Sequence, residues 1–232
     1  MSISASRQEA LPFVAAFLSI AVSFNAAHAQ NPATASRAAI AETPLARGDI
    51  DPKLSRFYAH VGKTGFGHEH GVEARLKSGH LQLGADRNAG EIVIDMTSFK
   101  ADSDEARKYV GLEGSTDAGT RQGVDTNMLG PDVLNVAKYP TAVFKVSSIQ
   151  QVKPKRPNAK TQYKLDGDFT LHGKTNKLSV LADVAKVEGF LRVYGHFSIL
   201  QSDFGITPYR KVLGAVGVAD RLTIWGELWV VE

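Results

Sequence analysis

Three stretches of this chain switch between apolar and polar at every residue, and each places a glycine in the middle of its apolar side. Leu191, Val193, Gly195, Phe197 and Ile199 alternate with Arg192, Tyr194, His196 and Ser198. Tyr163, Leu165, Gly167, Phe169 and Leu171 alternate with Lys164, Asp166, Asp168, Thr170 and His172. Leu222, Ile224, Gly226, Leu228 and Val230 alternate with Thr223, Trp225, Glu227, Trp229 and Val231. A period of two is the repeat of a strand with one face against a core and the other in water. A glycine inside a strand gives up packing and chain entropy, so three at comparable places need a reason. Two readings stay open: sharp coiling that closes a sheet, or clearance for something lying against the wall.

The pattern predicts further strands at 57–64, 70–77, 80–84, 91–96, 142–149 and 176–183. Short turns of Gly, Asn and Asp join them, with no helical pattern between successive strands. That combination argues for an all-β fold, an antiparallel barrel of about eight or nine strands, over a βαβ architecture. The exception is 103–138. Within it, 104–110 fits one or two helical turns, 111–126 is polar and Gly-rich, and 127–136 fits another short helix. We read this segment as a long crossover bearing short helices that cap one mouth of the barrel.

The first 29 residues have the three parts of a secretory signal: Arg7 at a weakly basic start, an apolar run from Leu11 to Phe24, and Ala27-His28-Ala29 before a cleavage point. That run of about 14 residues is short of the roughly 20 that span a bilayer, so no membrane span is expected. The expected destination is the periplasm or the exterior. Residues 30–54, rich in Ala, Pro, Thr and Ser, are expected to form a flexible lead-in, leaving 55–232 as one β domain. With no Cys, the fold cannot rest on disulfides, and neither a lipidated Cys anchor nor a Cys nucleophile is available.

A formal charge of +3 is mild, and the only basic cluster is Lys153, Lys155, Arg156 and Lys160 around Pro154 and Pro157. That reads as a solvated loop tip, so no nucleic-acid partner is expected.

Four places resemble the YceI-like family. The first is Met128-Leu129, leading to Leu134-Asn135-Val136-Ala137-Lys138-Tyr139-Pro140-Thr141-Ala142-Val143-Phe144. The others are Tyr163 to Thr175, with its Leu-Asp-Gly-Asp-Phe-Thr-Leu-His-Gly-Lys-Thr run; Phe197 to Ile206, with Ser202-Asp203-Phe204-Gly205; and Val218 to Leu228. The resemblance covers roughly 55–232. It implies an exported, lipocalin-like antiparallel barrel that accommodates a long polyisoprenoid chain. Departures fall early: Leu134-Asn135 replaces an aromatic followed by Asp, and Phe66-Gly67-His68-Glu69-His70-Gly71 stands where the family carries one His.

A barrel of about eight strands is either filled by side chains or just wide enough for a slender ligand. If hollow, its lipid-binding wall is expected to be Phe144, Val146, Leu165, Phe169, Leu178, Val180, Leu191, Val193, Phe197, Leu222, Ile224 and Leu228. If solid, the same side chains meet as core. The preferred reading is a non-enzymatic protein holding an apolar lipid such as a polyisoprenoid, with no other cofactor. A homodimer stays open as an assembly. His60, His68 and His70 invite an alternative Zn²⁺ or Cu²⁺ site, in which His68 and His70 share a strand face and His60 lies across a hairpin. A third alternative is a stress-related module with no bound ligand. No Gly-x-Ser-x-Gly elbow and no phosphate-binding glycine loop is present, and His172 and Asp203 are better read as turn and cap residues, so no catalytic residue is expected.

Overall fold

Each alternating stretch is a strand whose apolar side is buried. The computed structural model describes residues 44–153, 156 and 159–232. The expected signal segment and the lead-in up to residue 43 lie outside the described residues, as do Pro154, Lys155, Pro157 and Asn158 of the basic loop.

The strands are β1 (Arg56–Gly65), β2 (His70–Leu81), β3 (Gly90–Ala101), β4 (Thr141–Val152), β5 (Gln162–Leu171), β6 (Lys174–Val187), β7 (Phe190–Leu200), the two-residue β8 (Arg210–Lys211) and β9 (Val216–Val231). Neighbours in sequence pair antiparallel from β1 to β7, β7 pairs with β9, and β9 returns to β1, so eight long strands close a barrel. The short β8 hangs on the start of β9. Closure leaves no long edge to template aggregation. Hairpin chemistry sets two of the registers. His172 and Gly173 (φ 50° and 76°) turn β5 into β6, and Glu188 and Gly189 (φ 45° and 84°) turn β6 into β7. Two successive left-handed residues are the signature of a two-residue loop whose twist matches the strands it joins.

The predicted strands at 70–77 and 80–84 merge into one strand, β2, which ends at Leu81 and whose register against β3 slips between Leu76 and Ser78. A bulge adds a residue and bends the strand, which blurs the period without ending the ladder. Similar slips lie between Val61 and Lys63 and between Val146 and Ser148. A Cβ on Gly167 would sit 2.1 Å from the Lys145 carbonyl oxygen, so this glycine is required by close passage of two wall strands.

The crossover carries α1 (Asp104–Tyr109) and α2 (Ala118–Leu129). Ser103 caps α1 by accepting from the Ala106 N–H, and Asp117 caps α2 by accepting from the Thr120 N–H. The second helix therefore starts well before the predicted 127–136, because Asp117 supplies the acceptor its first turn needs. Gly130 and Pro131 then end it, leaving the rest of that span in turns. The lead-in also ends earlier than 54. The Gly48 N–H donates to the Val231 carbonyl, the Ile50 N–H to that of Gly79, and the Ile50 side chain is 1% exposed in the core. These backbone bonds and the buried Ile50 tie the segment to β2 and β9, although composition alone makes it look loose.

Candidate functional site in the barrel interior

Inward residues of every long strand build one hydrophobic cluster, including Phe57, Ala74, Ile94, Phe144, Leu165, Phe169, Val193 and Leu228. The cluster is not solid. Three apolar hollows share walls with one another. The first, about 130 Å³, lies at the mouth under α2 and is lined by Ala59, Val61, His70, Val72, Phe99, Val124, Met128, Leu134, Tyr209, Val218 and Leu222, among others. The second, about 70 Å³, shares Ala59, Val72, Phe99, Leu134 and Leu222 with the first and adds Phe57, Ile94, Phe169, Phe197 and Ile224. The third, about 50 Å³, shares Phe57, Ile94, Phe169 and Phe197 with the second and is bounded by Phe144, Leu165, Leu178, Val180, Val193, Gly195, Gly226 and Leu228.

Edge-to-face phenyl rings partition this series, with centroids 5.9 Å apart for Phe169 and Phe197, 6.5 Å for Phe144 and Phe169, and 5.6 Å for Phe169 and Phe204. The interior is thus neither a clear tunnel nor a jigsaw without gaps.

Ten of the twelve predicted wall residues border these hollows: Phe144, Leu165, Phe169, Leu178, Val180, Val193, Phe197, Leu222, Ile224 and Leu228. Val146 is 2% exposed and packs in the core without reaching a hollow. Leu191 lies toward the other end of the barrel, in a cleft of about 850 Å³ whose walls mix apolar groups with Arg47, His80, Lys186 and Glu232. The first three strands and the crossover contribute Ala59, Val61, Val72, Ile94, Phe99, Val124, Met128 and Leu134, which alternation alone had not singled out. In β1 both Phe57 and Tyr58 are buried, because α1 covers the outer face: Tyr58 stacks on Tyr109 at 3.8 Å and donates to Glu105 Oε1 at 2.7 Å. Two-sided burial erases the period.

The histidines do not converge. His70 pairs with Val61 across the β1–β2 ladder and borders the mouth hollow with it. His60 is one residue away on β1, so strand alternation turns it to the opposite face, where it lies 3.7 Å from Glu69. His68 is exposed. Among the described residues no three His, Cys, Asp or Glu side chains gather as a metal would require. His70 is instead held by Asp102, its Nδ1 2.7 Å from Oδ2. Asp102 also accepts from the Gly71 N–H at 3.1 Å and the Arg107 guanidinium at 3.2 Å. Burial pushes the Asp102 carboxyl up, but hydrogen bonding and charge from His70, the Gly71 N–H and Arg107 more than reverse it, so it lies below the ordinary carboxylate range. Arg107 in turn donates to the Gly114 and Glu113 carbonyls and ties the crossover to the rim.

Polar atoms at the mouth are few. Gln201 is committed to the Ala219 carbonyl, and the buried Tyr209 hydroxyl has no hydrogen-bond partner among the described residues. His172 lies in the β5–β6 turn as expected, whereas Asp203 sits inside a short 3₁₀ turn that has no side-chain cap, so it is a turn residue and not the cap the sequence suggested. No helix among the described residues is long and apolar enough to cross a membrane.

The family model described as the YceI-like domain matches residues 49–228. No curated protein sequence matches the chain. Among solved structures, Burkholderia cenocepacia BcnA is 20% identical, with a TM-score of 0.50 over 78% of this chain and 99% of its own. A polyisoprenoid binding domain from Saccharophagus degradans, implicated in plant cell wall breakdown, is 14% identical, with a TM-score of 0.53 over 81% of this chain and 100% of its own. At these identities the likeness is one of fold.

Proposed function

Because the chain belongs to the YceI-like domain family, we propose that it is an exported, non-enzymatic carrier that holds an apolar lipid of the polyisoprenoid class inside its barrel. The observation that carries this reading is the series of wall-sharing hydrocarbon hollows from the α2 mouth into the barrel. The structural likeness to a domain described as polyisoprenoid-binding supports the choice of ligand class. The secretory pattern of residues 1–29 supports export.

Physically, the hollows act as a discontinuous solvent for a branched chain. A cavity of about 150 Å³ takes one benzene ring, so the mouth hollow of about 130 Å³ suits roughly one five-carbon unit. The inner two are smaller, and threading them requires Phe169 and Phe197 to change rotamer. Each buried methylene contributes about 0.8 kcal/mol, offset by ordering of the chain and by association. Affinity therefore rises with chain length and depends weakly on the headgroup, which would meet few polar side chains at the mouth: His70, Asn127, Tyr209 and Gln201, the last already bonded to the Ala219 carbonyl.

Native mass spectrometry on mature protein purified without detergent, followed by titration with a fluorescent polyprenyl probe, tests the reading. A bound lipid, or saturable uptake that strengthens with probe length, is expected. Protein that is empty on isolation and takes up no probe refutes it.

A further inference from the structure

Among the described residues, the three most exposed large apolar side chains gather at one tip. Phe66 is 87% exposed, Val212 72% and Leu213 111%. They meet because the Phe66 N–H donates to the Ala215 carbonyl at 2.9 Å, and Ala215 in turn closes the turn that carries Val212 and Leu213. That turn is strained. Val212 and Leu213 have φ of 51° and 52°, a left-handed pair of which one is β-branched. Strain of this kind persists where the surroundings over-determine it, and it clusters at sites of contact.

Cations ring the apolar tip. Lys63, Thr64 and Gly65 of β1 pair with Val218, Gly217 and Val216 at the start of β9, and Gly217 and Val216 also pair with Arg210 and Lys211 of β8. Lys63, Arg210 and Lys211 are exposed, and none makes an ion pair among the described residues. The nearest acids on these segments are engaged elsewhere: Glu69 faces His60, and Asp220 accepts from Ser202. Apolar side chains exposed within unpaired positive charge are complementary to an anionic bilayer surface, where cations meet headgroups and hydrocarbon enters the acyl boundary.

The tip adjoins the ligand entrance. Val61, Tyr209 and Val218 border the mouth hollow: Val61 is two residues from Lys63, Tyr209 adjoins Arg210, and Val218 pairs with Lys63 across the β1–β9 ladder. We infer that Phe66, Val212 and Leu213, flanked by Lys63, Arg210 and Lys211, dock the barrel mouth-first on an anionic lipid bilayer. This extends the carrier reading by naming where lipid would be exchanged, and vesicle binding is measured separately from lipid uptake.

The experiment is flotation of the mature protein with vesicles of phosphatidylcholine alone or mixed with phosphatidylglycerol. Two variants accompany it, Phe66→Ser with Leu213→Ser, and Lys63→Gln with Arg210→Gln and Lys211→Gln, each checked for native circular dichroism. The wild-type chain is expected to float with anionic vesicles far better than with neutral ones. Removing three cations should weaken that binding on the order of a hundredfold, and removing the two apolar side chains about tenfold or more. Uptake of the polyprenyl probe from solution stays unchanged in both. Absent flotation of the wild-type chain, or flotation unaltered in both variants, overturns the docking surface. Loss of probe uptake by the wild-type chain would sink the carrier reading while leaving vesicle binding to stand or fall on its own.

Discussion

Ala59 borders both the mouth hollow and the next one inward, so a larger side chain there occupies the passage between them. Ala59→Leu adds three carbons to space now empty. The ligand then loses room for about three methylene equivalents, or about 2.4 kcal/mol at 0.8 kcal/mol each. That corresponds to about sixtyfold weaker binding. Folding stability should change little, because burying the new isobutyl group offsets the cost of crowding, typically 1–3 kcal/mol. The assay is competition of unlabelled polyprenols against the fluorescent probe, alongside urea unfolding of the empty protein. Short polyprenols that seat only at the mouth should retain more affinity than long ones. If Ala59→Leu folds normally and binds long polyprenols as tightly as wild type, the lipid does not pass through these hollows.

Asp102→Asn keeps the shape of a buried side chain that three donors address and removes its charge. We expect a loss of about 3 kcal/mol by urea unfolding, the low end for breaking a buried pair, since Arg107 retains the Glu113 and Gly114 carbonyls. The Asp102 carboxyl is lowered on folding, so its contribution is complete above the unfolded value near 3.9 and fades as pH falls through the folded one. The wild-type stability curve should therefore drop below about pH 4 more steeply than that of Asp102→Asn; parallel curves would show that the carboxylate is not coupled to folding. In α2 no side chain is buried, whereas β5 and β6 form an unbroken ladder. Amides of Ala118–Leu129 should exchange orders of magnitude faster than those of Gln162–Leu171 and slow when a polyprenol binds, and equal protection in the empty protein would argue against a movable cap.

The barrel is legible where water lies on one side of the wall. β5 and β7 leave their outward face partly to water, so Leu165, Phe169 and Val193 stand out from their neighbours by period alone. β1 hides this signal beneath α1, and β2 hides it at its bulge. The site was legible in the same proportion. The inner hollow draws on the alternating strands, while the mouth draws on α2 and on residues such as Val124 and Leu134, whose inward placement depends on the Asp117 cap and on the Asp125 carboxylate accepting from the Ala101 N–H. Ile50 had no local pattern to reveal it. The histidine triplet was misleading because His68 lies ahead of β2 rather than on its strand face with His70, and His60 across the ladder is one residue out of phase with His70.

β9 starts beside the α2 mouth, where Val218 borders the hollow, and runs to the opposite rim, where Glu232 borders the far cleft and meets Lys186. A reporter or surface tether fused after residue 232 would therefore leave the entrance unobstructed, and molecules immobilised through it would all present that entrance outward. Fusion ahead of Thr43 is less neutral, since the Gly48 and Ile50 staple onto β9 and β2 follows within a few residues.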